Sequence, residues 1–394
     1  MEPGNAAGRL TEWLQSDGLR FRTTVSFVEA FAHQLRAAGI DVCRITTGVP
    51  VLHPQVYSLS SLWELGKPAS ERRFRQEGDL FQQFANSPMA VVYAGGEVRC
   101  SLEAPPQAGD YPILADLRAD GITDYLALPI PFSDGSWKAL TLATPRPGGF
   151  PAGQIALFRS LVPTLAMILE IQTLRRTMLT LLDTYVGPIA GQRVLDGAIR
   201  RGMCEPIQAV IWMCDLRGFT ELAGQLPGGD MLDFLNDYFG AMTDAVAGHG
   251  GEVLKFIGDA MLAIFPLGDD RAATAARALA ASQAAGAAIA ALNEERRRTG
   301  RPEIRYGLAL HVGEVLYGNI GGSDRLDFTV IGQAVNTATR IEGLCKELGR
   351  NVLVSGDFAA LCEGAVEPLG SFALKGLASE QPVFAPLQAA PAEG

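Results

Sequence analysis

Near the start of the chain the apolar residues Val25, Val28, Phe31 and Leu35 recur at intervals of three and four, so they share one face of a predicted helix. The pattern then shortens. Val91 to Tyr93, Tyr125 to Ile130 and Ala139 to Thr144 are rich in β-formers and bounded by turn residues such as Gly95-Gly96 and Asp134-Gly135, which predicts strands. Helical spacing returns from Ala152 to Glu170 and closes an α+β unit. Beyond it, Ile171, Leu174, Met178, Leu181 and Tyr185 follow at spacings of three, four, three and four. That is the seam of a parallel two-helix coiled coil, with an amphipathic surface helix as the alternative. Val186-Gly187-Pro188 breaks the helix, and Ile189 to Gly202 leads into a second region.

There the periodicity alternates. Ala209 to Cys214 predicts a buried strand, Met231 to Ala247 a helix, and Glu252 to Phe265 a hairpin turning at Gly258-Asp259. Asp269 to Arg298 predicts a long helix, Arg305 to Val312 and Phe328 to Ile331 further strands, and Ala334 to Leu348 another helix. The expected fold is α+β, a sheet layered with helices and ferredoxin-like in character.

Composition narrows the function classes. A length of 394 residues suits two globular units. The stretch Met1 to Leu10 lacks a signal peptide's basic start and apolar core, and the Ala-rich run Ala272 to Leu292 is interrupted by Arg277, Ser282 and Gln283. The expectation is a cytoplasmic protein without membrane insertion. A net charge of −10 argues against a nucleic-acid surface. Cys43, Cys100, Cys204, Cys214, Cys345 and Cys362 show no CxxC spacing and are expected as reduced core thiols. Positive charge is written almost wholly as arginine, so Lys67, Lys138, Lys255, Lys346 and Lys375 stand out.

Chemistry gathers in the second region. Asp215 follows an apolar strand and precedes Leu216, Arg217, Gly218, Phe219 and Thr220, where a helix can begin. A carboxylate there can hold a metal while free amides take a phosphate, although a simple helix cap has the same appearance. Asp259 lies in a Gly-Asp turn between Val253 to Ile257 and Met261 to Phe265. If that hairpin packs beside the first strand, two acidic oxygen donors meet at one sheet edge, a set that suits Mg²⁺.

These residues carry a resemblance. Met213-Cys-Asp-Leu-Arg-Gly-Phe-Thr-Glu-Leu222 and Gly251-Glu-Val-Leu-Lys-Phe-Ile-Gly-Asp-Ala-Met261 resemble the two metal motifs of class III adenylyl and guanylyl cyclases. The likeness continues through Leu310 to Ile320, Phe328 to Arg340 and Leu374-Lys375-Gly376. It implies that Asp215, Asp259 and the Leu216 carbonyl bind two ions, Mg²⁺ or Mn²⁺, and that Gly218, Phe219, Thr220 and Lys375 hold phosphates. Lys255 falls at the purine-reading position, where a donor favours adenine. Thr329 replaces the Asp of many relatives, as in the bicarbonate-responsive subgroup, and discriminates less sharply. Asn336 and Arg340, four apart on one helix face, would orient the ribose and stabilise transition-state charge. Gly307 stands where many relatives place an arginine. Gly250-Gly-Glu252 resembles a diguanylate cyclase signature but precedes the hairpin.

The resemblance implies an adenylate cyclase that forms 3′,5′-cyclic AMP and pyrophosphate from ATP at a homodimer interface. A guanylate cyclase, or a non-catalytic dimeric signalling module, is the alternative. The first region, above all Asp124 to Phe150, is similar to GAF-type sensor domains, with a small molecule or bicarbonate as the candidate regulator. Expected boundaries are 1–170 for this GAF-like domain, 171–206 for a helical coiled-coil linker, 207–386 for the catalytic domain and 387–394 for a tail.

Overall fold

A computed structural model describes residues 3–50, 56–75, 86–107, 109–323, 325–377 and 379–387. The chain forms two compact units, Met1–Leu181 and Leu182–Gly394, divided within the stretch expected as a linker. Residues 388–394 of the expected tail lie outside the described residues.

In the first unit six antiparallel strands form one sheet: β1 Arg44–Pro50, β2 Val56–Glu64, β3 Ser70–Arg75, β4 Val98–Ser101, β5 Asp124–Pro131 and β6 Trp137–Thr144. Their spatial order is β3-β2-β1-β6-β5-β4. The helix Thr24–Ala37 buries Phe27, Val28, Phe31 and Leu35 against Ile45, Leu126, Leu128 and Leu142, with Phe158, Leu161 and Leu165 of the helix Ala152–Tyr185 in the same core. The Thr23 hydroxyl caps its start by accepting the Ser26 N–H at 3.3 Å. The loop after β6 is tied down by Asp124, a buried carboxylate that pairs with Arg99 at 2.8 Å and accepts the Phe150 N–H at 2.9 Å.

Of Val91 to Tyr93, expected as a strand, Val91 and Val92 belong instead to the helix Pro88–Val92, and Tyr93 follows at its C-terminal cap. Pro88 at its first turn presets a helical φ, and burial of Val92 rewards the turn more than β-propensity favours extension. The closing helix and the coiled-coil segment are one continuous helix, Ala152–Tyr185, and Ile171, Leu174, Met178, Leu181 and Tyr185 are all exposed on it. By length and composition alone this helix and Arg271–Arg298 could cross a bilayer, whereas no such span was expected; both place side chains in the cores.

In the second unit β7 Cys204–Leu216, the helix Gly228–Gly248, β8 Glu252–Ile257, β9 Ala260–Pro266, the helix Arg271–Arg298 and β10 Tyr306–Gly321 follow in βαββαβ order. Spatially these strands run β10-β7-β9-β8, which is the ferredoxin-like arrangement. β11 Leu326–Ile331 folds back on β10, and β12 Val352–Ser355, β13 Val366–Phe372 and β14 Gln381–Pro386 extend the far side of the sheet. Asp270 caps the long helix by accepting the Ala273 N–H at 2.9 Å. All six cysteines are free thiols.

Candidate active site

Strand alternation explains why a carboxylate stands at the end of β7. Val210, Trp212 and Cys214 pack into the core beneath Phe234, Tyr238 and Met242, while Ala209, Ile211 and Met213 pack on the opposite face. Continuing that period of two puts Asp215 on the second face, where the core stops. Gly307 of β10 stands opposite Asp215, and on the other side Cys214 pairs with Met261. The Gly258-Asp259 turn therefore closes beside the end of β7. Gly258 takes φ 65°, the left-handed conformation that a two-residue hairpin turn demands.

The two carboxylates feel each other. Partial burial, and then the negative charge of Asp259, push Asp215 up to about 6, against the lowering influence of the Leu216 N–H, which Oδ1 accepts at 3.0 Å. Two partly buried acids side by side repel one another, a cost that a divalent cation would relieve, so the donor set fits such an ion. Among the described residues no group of three or more Asp, Glu, His or Cys side chains could hold a metal by itself.

A third acid was not singled out in the sequence. Glu342, from the helix Gln333–Glu347, lies over Gly307 so closely that a Cβ there would collide with its carboxylate. Burial, then the charge of Asp215, push Glu342 up to about 7. Gly307 thus gives room to an acid beside the aspartates. Only the cross-strand pairing of Gly307 with Asp215 reveals this; in sequence Glu342 is another polar helix residue.

Asn336 and Arg340 share that helix but not that face. At 100° per residue, Glu342 lies about 160° around the axis from Arg340 and about 120° from Asn336. Asn336 is exposed and Arg340 half-buried, and among the described residues neither side chain has a hydrogen-bond partner. A Cβ on Gly376 would stand 3.3 Å from Arg340 Nη2, so the guanidinium lies against the turn that carries the exposed Lys375. Arg340 and Lys375 therefore come together, on a side of the helix other than the one facing the carboxylates. Gly218, at φ 75°, opens the short helix Phe219–Ala223, with Phe219 half-buried and Thr220 exposed.

Lys255 of β8 reaches across to β11, where its Nζ pairs with Asp327 Oδ2 at 2.5 Å. Thr329, two residues on, is 3 % exposed, and among the described residues its hydroxyl has no hydrogen-bond partner. Glu252, in the Gly-Gly-Glu stretch, is buried and accepts the Ala190 N–H at 3.0 Å and the Tyr317 hydroxyl at 2.7 Å. It ties the hairpin's root to the helix Pro188–Leu195, a structural duty that accounts for the acid without cyclic-dinucleotide chemistry.

The first unit offers a different kind of site. A cavity of about 1090 Å³ opens on the sheet face bearing Thr46, Ser60 and Thr141, walled by Tyr93 and Trp137, with Arg72 at its margin.

Residues 205–384 match the family described as the adenylate and guanylate cyclase catalytic domain. An adenylate cyclase of Anabaena cylindrica is 37% identical over 177 residues, 44% of this chain and 34% of that protein. Adenylate cyclase 1 of Rhizobium meliloti (strain 1021) is 32% identical over 174 residues, 43% of this chain and 26% of that protein. The chain thus spans about a third or less of these relatives' length. Among solved structures, the adenylyl cyclase CyaB from P. aeruginosa is 24% identical and covers 48% of this chain and 99% of its own, with a TM-score of 0.44.

Proposed function

We propose that residues 205–384, which match the adenylate and guanylate cyclase catalytic domain, form a class III cyclase domain and that this protein converts ATP to 3′,5′-cyclic AMP and pyrophosphate as a homodimer. The observation that carries the chemistry is the convergence of Asp215 and Asp259 at one end of β7, where burial and mutual repulsion raise Asp215 to about 6 and a cation would relieve both. Asp215, Asp259 and the Leu216 carbonyl would hold two divalent ions, Mg²⁺ or Mn²⁺, together with substrate oxygens. When bound, the ions acidify the ribose 3′-hydroxyl and offset triphosphate charge.

The chain's own groups do the rest. Asn336 orients the ribose, and Arg340 donates hydrogen bonds to the α-phosphate as charge builds there. Lys375, lying near Arg340, holds the terminal phosphates, as do the amides of Gly218, Phe219 and Thr220. Lys255 donates to adenine N1, with the Thr329 hydroxyl behind it.

Helix geometry supports the dimer. Asn336 and Arg340 point away from the face that Glu342 turns toward its own aspartates, so one chain does not close a site. A second copy, placed head to tail, supplies the missing half to each. Phe256 and Ile257, next to the Gly258-Asp259 turn, and Leu316 and Ile331 are exposed apolar side chains that such a partner would cover. A small-molecule regulator would occupy the first unit's cavity, and the exposed stripe from Ile171 to Tyr185 would pair with its copy to carry the response.

The test is purified full chain with ATP or GTP and each metal, beside Asp215→Ala. Cyclic AMP from the wild type and its loss in the variant are expected. No cyclic nucleotide from the wild type, or undiminished product from the variant, would refute the proposal.

A further inference from the structure

Resting on the reading of the first unit's cavity as a regulator site, we propose that its ligand is a planar aromatic anion, a carboxylate or phosphate carried on a ring, held by Arg72 and stacked on Trp137.

Strand register explains the hollow. Residues directly opposite in antiparallel strands share a face, so Arg72 of β3, Ser60 of β2, Gly48 of β1 and Ala139 of β6 lie in one row across the sheet. Gly48 has no side chain and Ala139 only a methyl, which leaves the middle of that row low. Tyr93 reaches over the gap. Its hydroxyl donates to the Gly48 carbonyl at 3.1 Å, and a Cβ on Gly48 would stand 3.0 Å from that hydroxyl. Trp137 is two residues from Ala139 on β6 and so rises on the same face, with its indole packed against Gly95. It is 37% exposed. An aromatic plate thus stands beside a low floor flanked by the hydroxyls of Thr46 and Ser60.

Charge narrows the ligand class. The chain carries a net charge of −10, yet among the described residues lining the cavity none is Asp or Glu and three are basic. Two of these are already engaged. Arg44 donates to Glu64 at 2.8 Å, and Lys138 donates to the Ser136 hydroxyl at 2.7 Å with its ammonium over the Phe132 ring. Arg72 is exposed, and among the described residues its guanidinium has no partner. A guanidinium presents a planar fork of donors that matches a carboxylate or a phosphate. A cationic ligand would meet uncompensated positive charge there. A bare hydrocarbon would strip water from the Thr46 and Ser60 hydroxyls without replacing its hydrogen bonds. A flat anion answers both, with its head on Arg72 and its ring on Trp137, and a cavity of about 1090 Å³ admits one.

Arg72 is an exposed side chain without a partner among the described residues, so replacing it leaves the fold intact. The experiment titrates the full chain by calorimetry with three probes sharing one ring system: 2-naphthoate, 2-naphthyl phosphate and 2-naphthylmethylamine. At least one anion should bind about tenfold or more tightly than the amine, the scale of one charge-assisted hydrogen bond, and the tighter of the two tells carboxylate from phosphate. Arg72→Ala should abolish that preference. Arg72→Lys, which keeps the charge and loses the fork, should retain part of it. Trp137→Leu should weaken all three probes alike, and bicarbonate, an anion without a ring, should displace none. Equal affinity for amine and anions, no binding of any probe, displacement by bicarbonate, or a preference that survives Arg72→Ala overturns the proposal. Cyclic AMP formation is then followed at saturating anion. A rate that does not move while the Arg72-dependent binding persists removes the regulator reading and supports the ligand class alone.

Discussion

The two units use a sheet in opposite ways. In the first, one face is packed beneath helices and the other is partly hollow, so its polar groups look inward at a cavity of about 1090 Å³. In the second, β7 feeds a filled core on each face, and the chemistry is displaced to strand ends and turns: Asp215 past the last apolar pair, Asp259 in the hairpin turn, Lys375 in a loop. A hollow sheet can enclose a small molecule alone. A sheet filled on both faces can present groups only at its edges, and a site built on an edge lacks a wall. On the proposed function, the first unit would sense with one chain and the second would catalyse with two.

The largest expected effect tests the edge itself. Asp215→Ala or Asp259→Ala should lower the rate of cyclic AMP formation by about 10²–10³-fold, as when a preorganised electrostatic contact to the transition state is lost. Activity above a tenth of wild type in either would show that these carboxylates are not where the reaction happens.

Mixing probes the missing wall. Asp215→Ala and Arg340→Ala chains, each inactive alone, should recover about a quarter of wild-type activity when co-refolded, because half the dimers would be mixed and each mixed dimer has one intact site. A mixture as inactive as its components would break the contrast between the units.

Protons sharpen the same point. Because Asp215 is pushed up to about 6, cation binding must expel a proton below that pH but not above it. Mg²⁺ affinity, followed by calorimetry, should therefore be flat above about pH 7 and fall about tenfold per unit on the acid side of 6. An affinity independent of pH from 5 to 7 would contradict the coupling of the two acids.

The smallest effect belongs to the first unit. Thr47 is buried on the filled side of the sheet, and among the described residues its hydroxyl has no partner. Thr47→Val should raise stability by about 1 kcal/mol in denaturant unfolding of the full chain, leaving cyclic AMP formation unaltered. A loss of stability instead would mean that the hydroxyl is satisfied.

Much of this was legible in the chain. The period-two run Ala209 to Cys214, the Gly-Asp turn and the spacing of Asn336 and Arg340 announced a strand end, a hairpin and a helix face, because local periodicity reports which side of an element is buried. Val91 to Tyr93 misled, since a proline-started helix buried at Val92 overrode β-propensity. Glu342 was invisible: its significance comes from lying across Gly307 of strand β10, 35 positions away in sequence. The same holds for Asp327, which no local pattern joins to Lys255.

By itself, then, the sequence determined the two α+β regions, the helix between them and the residues at each turn, because those follow from the spacing of apolar positions and from glycine and proline geometry. Only the tertiary structure decided which groups meet. It joined Asp215 to Asp259 and Glu342 and set Lys255 against Asp327. It turned Asn336 and Arg340 to the other side of their helix. Those juxtapositions depend on strand order and register, which are fixed by long-range packing rather than by any local run of residues.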